Sequence, residues 1–385
     1  MSRIYLDHNA TTPMHPEVLD AMMPYLKNSY GNASSIHYWG REARAVVDDA
    51  RERLANLLGA KPSEIVFTGG GTESDNLAIK GVASYWNRKG KRIVTSRIEH
   101  HAVFHTCEYL AKRHGYEITY VPVDSNCLVN PDDVRKAIRP DSVLVSVMAA
   151  NNETGTIQPL AEIGAICREQ GVPFHTDAVQ AFGKIPTKPA DWNADLLTIA
   201  AHKFYGPKGV GLLYVRSGTR FDPTEHGGFQ ENERRGGTEN VAGIVGMAKA
   251  AELATAKMPS EVPRLFQLTE RLWREISRRI KCVHRNGHVQ KRVANTLHIC
   301  CEDCDGEGLL FGLDLEGVAV SSGSACAVGS LEVSHVLLAM GRSPELAEAA
   351  VRFSFGSQNT EADVDPTVSA LAKVLDRLRS FHATA

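Results

Sequence analysis

Between about residues 60 and 215, short apolar runs alternate with amphipathic stretches. The runs "EIVFTGG", "RIVTS", "YEITYVPV", "SVLVSVM", "VPFHTD" and "ADLLTIA" have the length and apolar character of strands. Helical patterns such as "TESDNLAIKGVASYW" and "DDVRKAIRP" separate them. This alternation predicts an α/β fold, with a largely parallel sheet covered by helices on both faces. Ahead of it, "IHYWGREARAVVDDARERLANLLGA" sets Trp39, Ala43, Val46, Val47, Ala50, Leu54 and Leu57 near helical spacing, with Gly59 as the stop.

After Gly237 the pattern changes. "NVAGIVGMAKAAELATAKM" and "SEVPRLFQLTERLWREISRRI" predict two long helices meeting near 258–263. A strand ("VANTLHICC"), a helix ("GEGLLFGLDLEG"), a helix ("LEVSHVLLAMG"), a strand ("AVRFSFG") and a terminal helix follow. With 385 residues the chain exceeds what one core usually serves. The expected division is a large domain over 15–255 and a smaller α+β domain from 1–14 and 256–385.

Charge narrows the partners. Lys plus Arg is 43 and Asp plus Glu is 45, a net charge of −2 without a basic block, which argues against nucleic acid or an anionic membrane as the main partner. The start, "MSRIYLDHNATTP", lacks the apolar core of a signal peptide. No apolar run approaches the ~18 residues of a membrane span. A cytoplasmic protein is expected, with its eight scattered cysteines as free thiols.

Several strands end in polar residues, and ligands of parallel α/β sheets bind beyond those carboxyl ends. In "TGGGTESDN", Gly71 and Thr72 open a helix whose free N–H groups suit a phosphate, or else form a glycine turn with Thr72 as cap. It is not a P-loop, because no Gly-Lys-Ser/Thr follows. "FHTDAVQA" puts Asp177 and Gln180 after another strand, where a carboxylate caps a helix or faces a protonated heterocycle. "AAHKFYGPKG" puts His202 and Lys203 after the next, and a desolvated lysine there would suit Schiff-base chemistry. A phosphate loop, an acid and a lysine in this order are the parts a pyridoxal-phosphate enzyme needs.

Ten segments carry a resemblance that runs nearly end to end: "YLDHNATTP", "GNASSIH", "TGGGTESDN", "EHHAV", "NNETGTIQP", "HTDAVQAFGK", "AHKFYGPKGVG", "RRGGTEN", "SSGSACAVGSLE" and "VRFSFG". On these the chain resembles the pyridoxal-phosphate-dependent cysteine desulfurases of the iron–sulfur-cluster and nitrogen-fixation type, within the class V aminotransferases. The resemblance implies a transferase of fold type I, an isologous homodimer, and conversion of L-cysteine to L-alanine with the sulfur passed on as a persulfide.

Residue by residue, the resemblance implies that Lys203 bonds the cofactor and Asp177 faces its pyridinium nitrogen. It gives His100 as the histidine stacked on the ring, with His101 as the alternative, and Asn152 and Gln180 as contacts of the ring oxygen. Gly71, Thr72 and His202 match phosphate ligands, and Thr238 matches a residue reaching the neighbouring subunit's phosphate. Arg352 matches the arginine that grips the substrate carboxylate, as Asn152 also would. Cys326 matches the persulfide cysteine, and its Ser/Gly-rich surroundings, 321–330, predict a mobile tether that reaches both cofactor and acceptor. The acceptor would be a sulfur-receiving protein such as an iron–sulfur scaffold.

Two positions and one segment depart from the family pattern. Ala200 stands where relatives often carry a hydroxyl or thiol, and Val333 where a proline is common. "HICCEDC" adds His298, Cys301 and Cys304, for which free thiols at a strand end are favoured over a metal site. Three other readings stay open at this point: a transaminase or lyase with Cys326 incidental, a carrier of persulfide made elsewhere, and a lyase acting on selenocysteine.

Overall fold

The computed structural model describes residues 3–322 and 333–382, the side chains of 381 and 382 excepted. Its centre is a seven-stranded sheet. The strands are β2 (Ile65–Thr68), β3 (Arg92–Ser96), β4 (Glu117–Val121), β5 (Ser142–Ser146), β6 (Phe174–Asp177), β7 (Leu196–Ala200) and β8 (Gly211–Val215), after a short β1 (Ile4–Tyr5). Their order is β2-β8-β7-β6-β5-β3-β4, and all neighbours are parallel except the two pairs that involve β8. Only β8 therefore runs backwards. The carboxyl ends of β2, β3, β5, β6 and β7 share one edge.

The six strands expected from the apolar runs all form. β8, "GLLYV", was not expected, because a five-residue run directly behind the turn-rich "GPKGVG" carries little signal of its own. An antiparallel partner also needs no crossover helix, so the usual strand–helix alternation does not announce it. The helix Tyr38–Leu58 stops at Gly59 in the left-handed region (φ 67°), where a glycine pays no Cβ penalty.

A second sheet, in the order β12-β10-β9, is built from β9 (Val283–Asn286), β10 (Thr296–Cys301) and β12 (Ala350–Ser354). The N-terminal strand β1 pairs with β11 (Val318–Ala319), so the chain's start lies against its last third. The expected pair of helices is instead one, Val241–Arg279, running through Pro259 and Pro263. Each proline removes a backbone donor. Burial at both ends outweighs that loss: Ala242, Ile244, Met247, Ala248 and Ala251 join the core beneath the large sheet. Leu265, Leu268, Leu272 and Ile276 join a separate core with β10 and β12.

Among the described residues no helix is long and apolar enough to cross a membrane.

Candidate active site

The segments that leave the shared edge converge on a cavity of about 310 Å³. β7 ends at Ala200, and a tight 3₁₀ turn, Ala201–Lys203, carries Lys203 into it. The Lys203 Nζ donates to the carbonyl oxygens of Asn9 (2.7 Å) and Ala10 (2.8 Å). The N-terminal segment thus forms one wall. His202 secures it from the same turn: its Nδ1 lies 3.2 Å from Thr11 Oγ1, and its carbonyl accepts from the Thr12 amide. Burial holds the His202 imidazole down at about 4.

Asp177 ends β6, and its Oδ1 accepts from the Val179 amide at 2.8 Å. Burial pushes its carboxyl up to about 6, against the opposing pull of that hydrogen bond and of Lys203. A second carboxyl, Asp75 on the helix Gly71–Trp86, lines the same cavity. It is 1% exposed and among the described residues its Oδ1 accepts no hydrogen bond, while His175 Nε2 lies 3.5 Å away. Burial, then Asp177, drive Asp75 well above the ordinary carboxylate range. His175 is itself enclosed between Ser146 Oγ (2.8 Å) and Thr198 Oγ1 (3.1 Å), and burial holds it neutral, down at about 3.

His100 caps the helix His101–His114, its Nδ1 accepting from the Ala102 amide at 3.1 Å. That bond assigns the ring proton to Nε2. Burial and then Lys203 lower the His100 pKa to about 4. His101 also reaches the cavity, stacked on His105 with centroids 4.7 Å apart, and 5.1 Å from His335. Beneath them Glu99 takes hydrogen bonds from Ser96 Oγ and the Met148 amide, tying the segment after β3 to the one after β5. Burial raises its carboxyl to about 8.

Gly71 and Thr72 begin their helix inside the cavity. A Cβ on Gly71 would come within 3.0 Å of Val179 Cγ2 and 3.5 Å of the Ala200 methyl. Gln180 donates from Nε2 to the Asn9 carbonyl at 2.9 Å. Arg352, on β12, reaches across from the second sheet, donating to the Asn152 carbonyl (2.9 Å) and to Asp7 Oδ1 (2.8 Å). Its Nε is buried and has no hydrogen-bond partner among the described residues.

Lys203, His100, Gly71, Thr72, Asn152, Asp177, Gln180, His202 and Arg352 therefore line one cavity. Thr238 does not; it is exposed and sits in a separate depression with Phe67, Gly69 and Gly237. Cys326, and the tether expected around it, lie outside the described residues. His298 and Cys301 fall on opposite faces of β10, since successive strand residues alternate. Among the described residues no three His, Cys, Asp or Glu side chains are grouped to hold a metal.

Asp7, Asn9, Asp75 and His335 were not singled out from the sequence. Asp7 and Asn9 lie within "YLDHNATTP" and Asp75 within "TESDN", so the signal was present as a motif without a chemistry attached. Nothing local says that the seventh and ninth residues pack beside the two-hundredth.

Residues 4–366 match the family model for class-V aminotransferases. The chain belongs to that family. It is 51% identical over 378 residues to "Cysteine desulfurase IscS" of Dictyoglomus turgidum, covering 98% of this chain and 96% of that one. To the protein of the same name from Methanosarcina thermophila it is 48% identical, covering 98% and 93%. Among solved structures a "NifS-like protein" superposes with a TM-score of 0.92 at 38% identity, covering 98% of this chain and all of that one. Within the class-V aminotransferases the chain is thus placed among the cysteine desulfurases, a pyridoxal-phosphate-dependent group.

Proposed function

We propose that this cysteine desulfurase converts L-cysteine to L-alanine and moves the sulfur onto Cys326 as a persulfide, for delivery to an acceptor protein. The observation that carries this reading is the convergence of Lys203, Asp177, His100 and Arg352 on one cavity. The residues present fit pyridoxal phosphate. Gly71 leaves its place in the cradle unfilled by a side chain, beside the free N–H groups of a helix start. A buried carboxyl, a lysine amine and a neutral histidine line the same cavity. Gly71, Thr72 and His202 would hold the phosphate, joined by Thr238 of the other subunit in a homodimer. Asn152 and Gln180 would meet the ring oxygen, Asp177 the ring nitrogen, and His100 the ring face.

When bound, the cofactor supplies an electron sink for charge developing at the substrate Cα. The chain's own residues do the rest. Arg352 and Asn152 orient the substrate carboxylate. The Lys203 amine takes the Cα proton. The Cys326 thiolate attacks the substrate sulfur: an S–S bond forms, the Cβ–S bond breaks, and its electron pair stays with carbon. Cβ is then protonated to the methyl group, the Lys203 ammonium returns a proton to Cα to complete alanine, and the enzyme keeps one added sulfur. Exchange with an acceptor thiol returns Cys326 to its starting state.

Single-turnover alanine release with persulfide trapping tests this. Wild type is expected to yield one alanine and one trapped persulfide per site, and Cys326→Ser no protein persulfide. Equal persulfide in both would sink the assignment.

A further inference from the structure

Behind the cavity lies a lysine that the proposed chemistry does not use. Lys184 is partly exposed along its length, but its ammonium is buried. It donates to Gln180 Oε1 at 2.7 Å and to Asn9 Oδ1 at 3.1 Å. Both acceptors are themselves tied to the cavity. Gln180 donates from Nε2 to the Asn9 carbonyl, and Lys203 Nζ donates to that same oxygen. Asn9 in turn bonds Asn295 (3.0 Å) and Thr296 Oγ1 (2.8 Å), at the edge of the second core.

We propose that Lys184 is a positioning residue that clamps the side chains of Gln180 and Asn9 together, fixing the Gln180 amide and the carbonyl that Gln180 shares with Lys203. The chemistry of the partners dictates the orientation. The Lys184 Nζ donates to both side-chain oxygens here, so it holds the amide oxygen of Gln180 on its own side. The Asn9 carbonyl can only accept, so it holds the amide nitrogen. The two contacts leave Gln180 one orientation, donor end towards the cavity wall that Asn9 and Lys203 form. Burying an ammonium is costly, and burial lowers the Lys184 pKa well below the usual lysine range, with Lys203 and Arg352 adding to the effect. A lysine kept against that penalty, with its two acceptor contacts on the side chains of Gln180 and Asn9, points to geometry as its use.

The inference rests on the reading of Gln180 as a contact of the cofactor's ring oxygen. It is tested by a double-mutant cycle on the full-length protein, stripped of cofactor and titrated with pyridoxal phosphate, reading the dissociation constant and the visible absorbance maximum. Lys184→Met is expected to raise the dissociation constant roughly fivefold to tenfold, the size of one hydrogen bond's net effect, and to shift the maximum. In a Gln180→Ala background the same change is expected to do neither. Equal effects in both backgrounds would mean that Lys184 acts through charge or general stability, and would overturn the proposal. A silent Gln180→Ala alone would instead overturn the reading of Gln180, and the clamp with it. If the methionine variant does not fold, Lys184→Gln runs the same cycle with the same two overturning outcomes.

Discussion

Arg352 holds Asp7 through Nη2 at 2.8 Å while its Nη1 holds the Asn152 carbonyl at 2.9 Å. A residue near the carboxyl end thus fixes one near the start, and Arg352 itself lines the cavity. These two contacts hold the guanidinium in one place. Its planar fork is what a carboxylate needs, and a lysine could satisfy only part of this arrangement. Arg352→Lys is expected to raise KM for L-cysteine roughly tenfold to a hundredfold, as the loss of a charge-assisted hydrogen bond would, with a smaller change in kcat. Steady-state kinetics at fixed pH checks this, and an unchanged KM would remove Arg352 from substrate binding.

The buried acid pair makes a pH prediction. Burial lifts the Asp177 carboxyl from 3.8 to about 6. A carboxyl that holds its proton more tightly when folded contributes stability that is complete below the unfolded value and is lost as pH rises through the folded one. In the cofactor-free protein, Asp177→Asn is therefore expected to gain thermal stability relative to wild type between pH 4 and pH 7. A difference in melting midpoint that stays flat over that window would show that Asp75 carries the proton instead.

The glycine in the cradle allows a steric test. Gly71 has ordinary helical backbone, so a larger residue meets no backbone strain, and its nearest neighbours are the side chains of Val179, Ala200 and Thr198. Gly71→Val should fold, and should weaken pyridoxal-phosphate binding by roughly tenfold or more, about 1.4 kcal/mol. Cofactor titration followed by circular dichroism of the apoprotein separates the two effects. Loss of fold with normal affinity in the surviving fraction would contradict it.

Stability at the sheet's outer strand depends on a buried ion pair. Arg51 grips Glu231 with two contacts of 2.7 Å, and Glu231 also accepts from the Phe67 amide on β2. Glu231 adopts φ 47°, outside ordinary helical backbone, so the pair also holds a strained turn in place. Arg51→Met leaves an uncompensated carboxylate and should cost about 3–5 kcal/mol. Chemical denaturation measures it, and a loss below 1 kcal/mol would show that Glu231 finds another partner.

Much of this site was legible because its chemistry clusters at strand ends. Asp177, His202 and Lys203 follow apolar runs, and a parallel sheet brings such ends together whatever lies between them. β8 and the unbroken helix Val241–Arg279 were not legible, each for a local reason. A strand can form behind a glycine-rich turn when two neighbours supply its hydrogen bonds, and a helix can pass two prolines when both ends are buried.

The sequence by itself determined which residues could do chemistry and, through alternating apolar runs, that most strands would lie parallel. It also held the motifs that place the chain among the cysteine desulfurases. Folding in three dimensions sets which groups share an electric field, a carbonyl or a guanidinium. Asp75 meets Asp177's field, Lys184 meets Asn9, and Arg352 meets Asp7 across 345 residues of chain. The reason is physical: hydrogen bonds and charges act over a few ångströms of space, and local sequence patterns do not record which distant segments folding will bring that close.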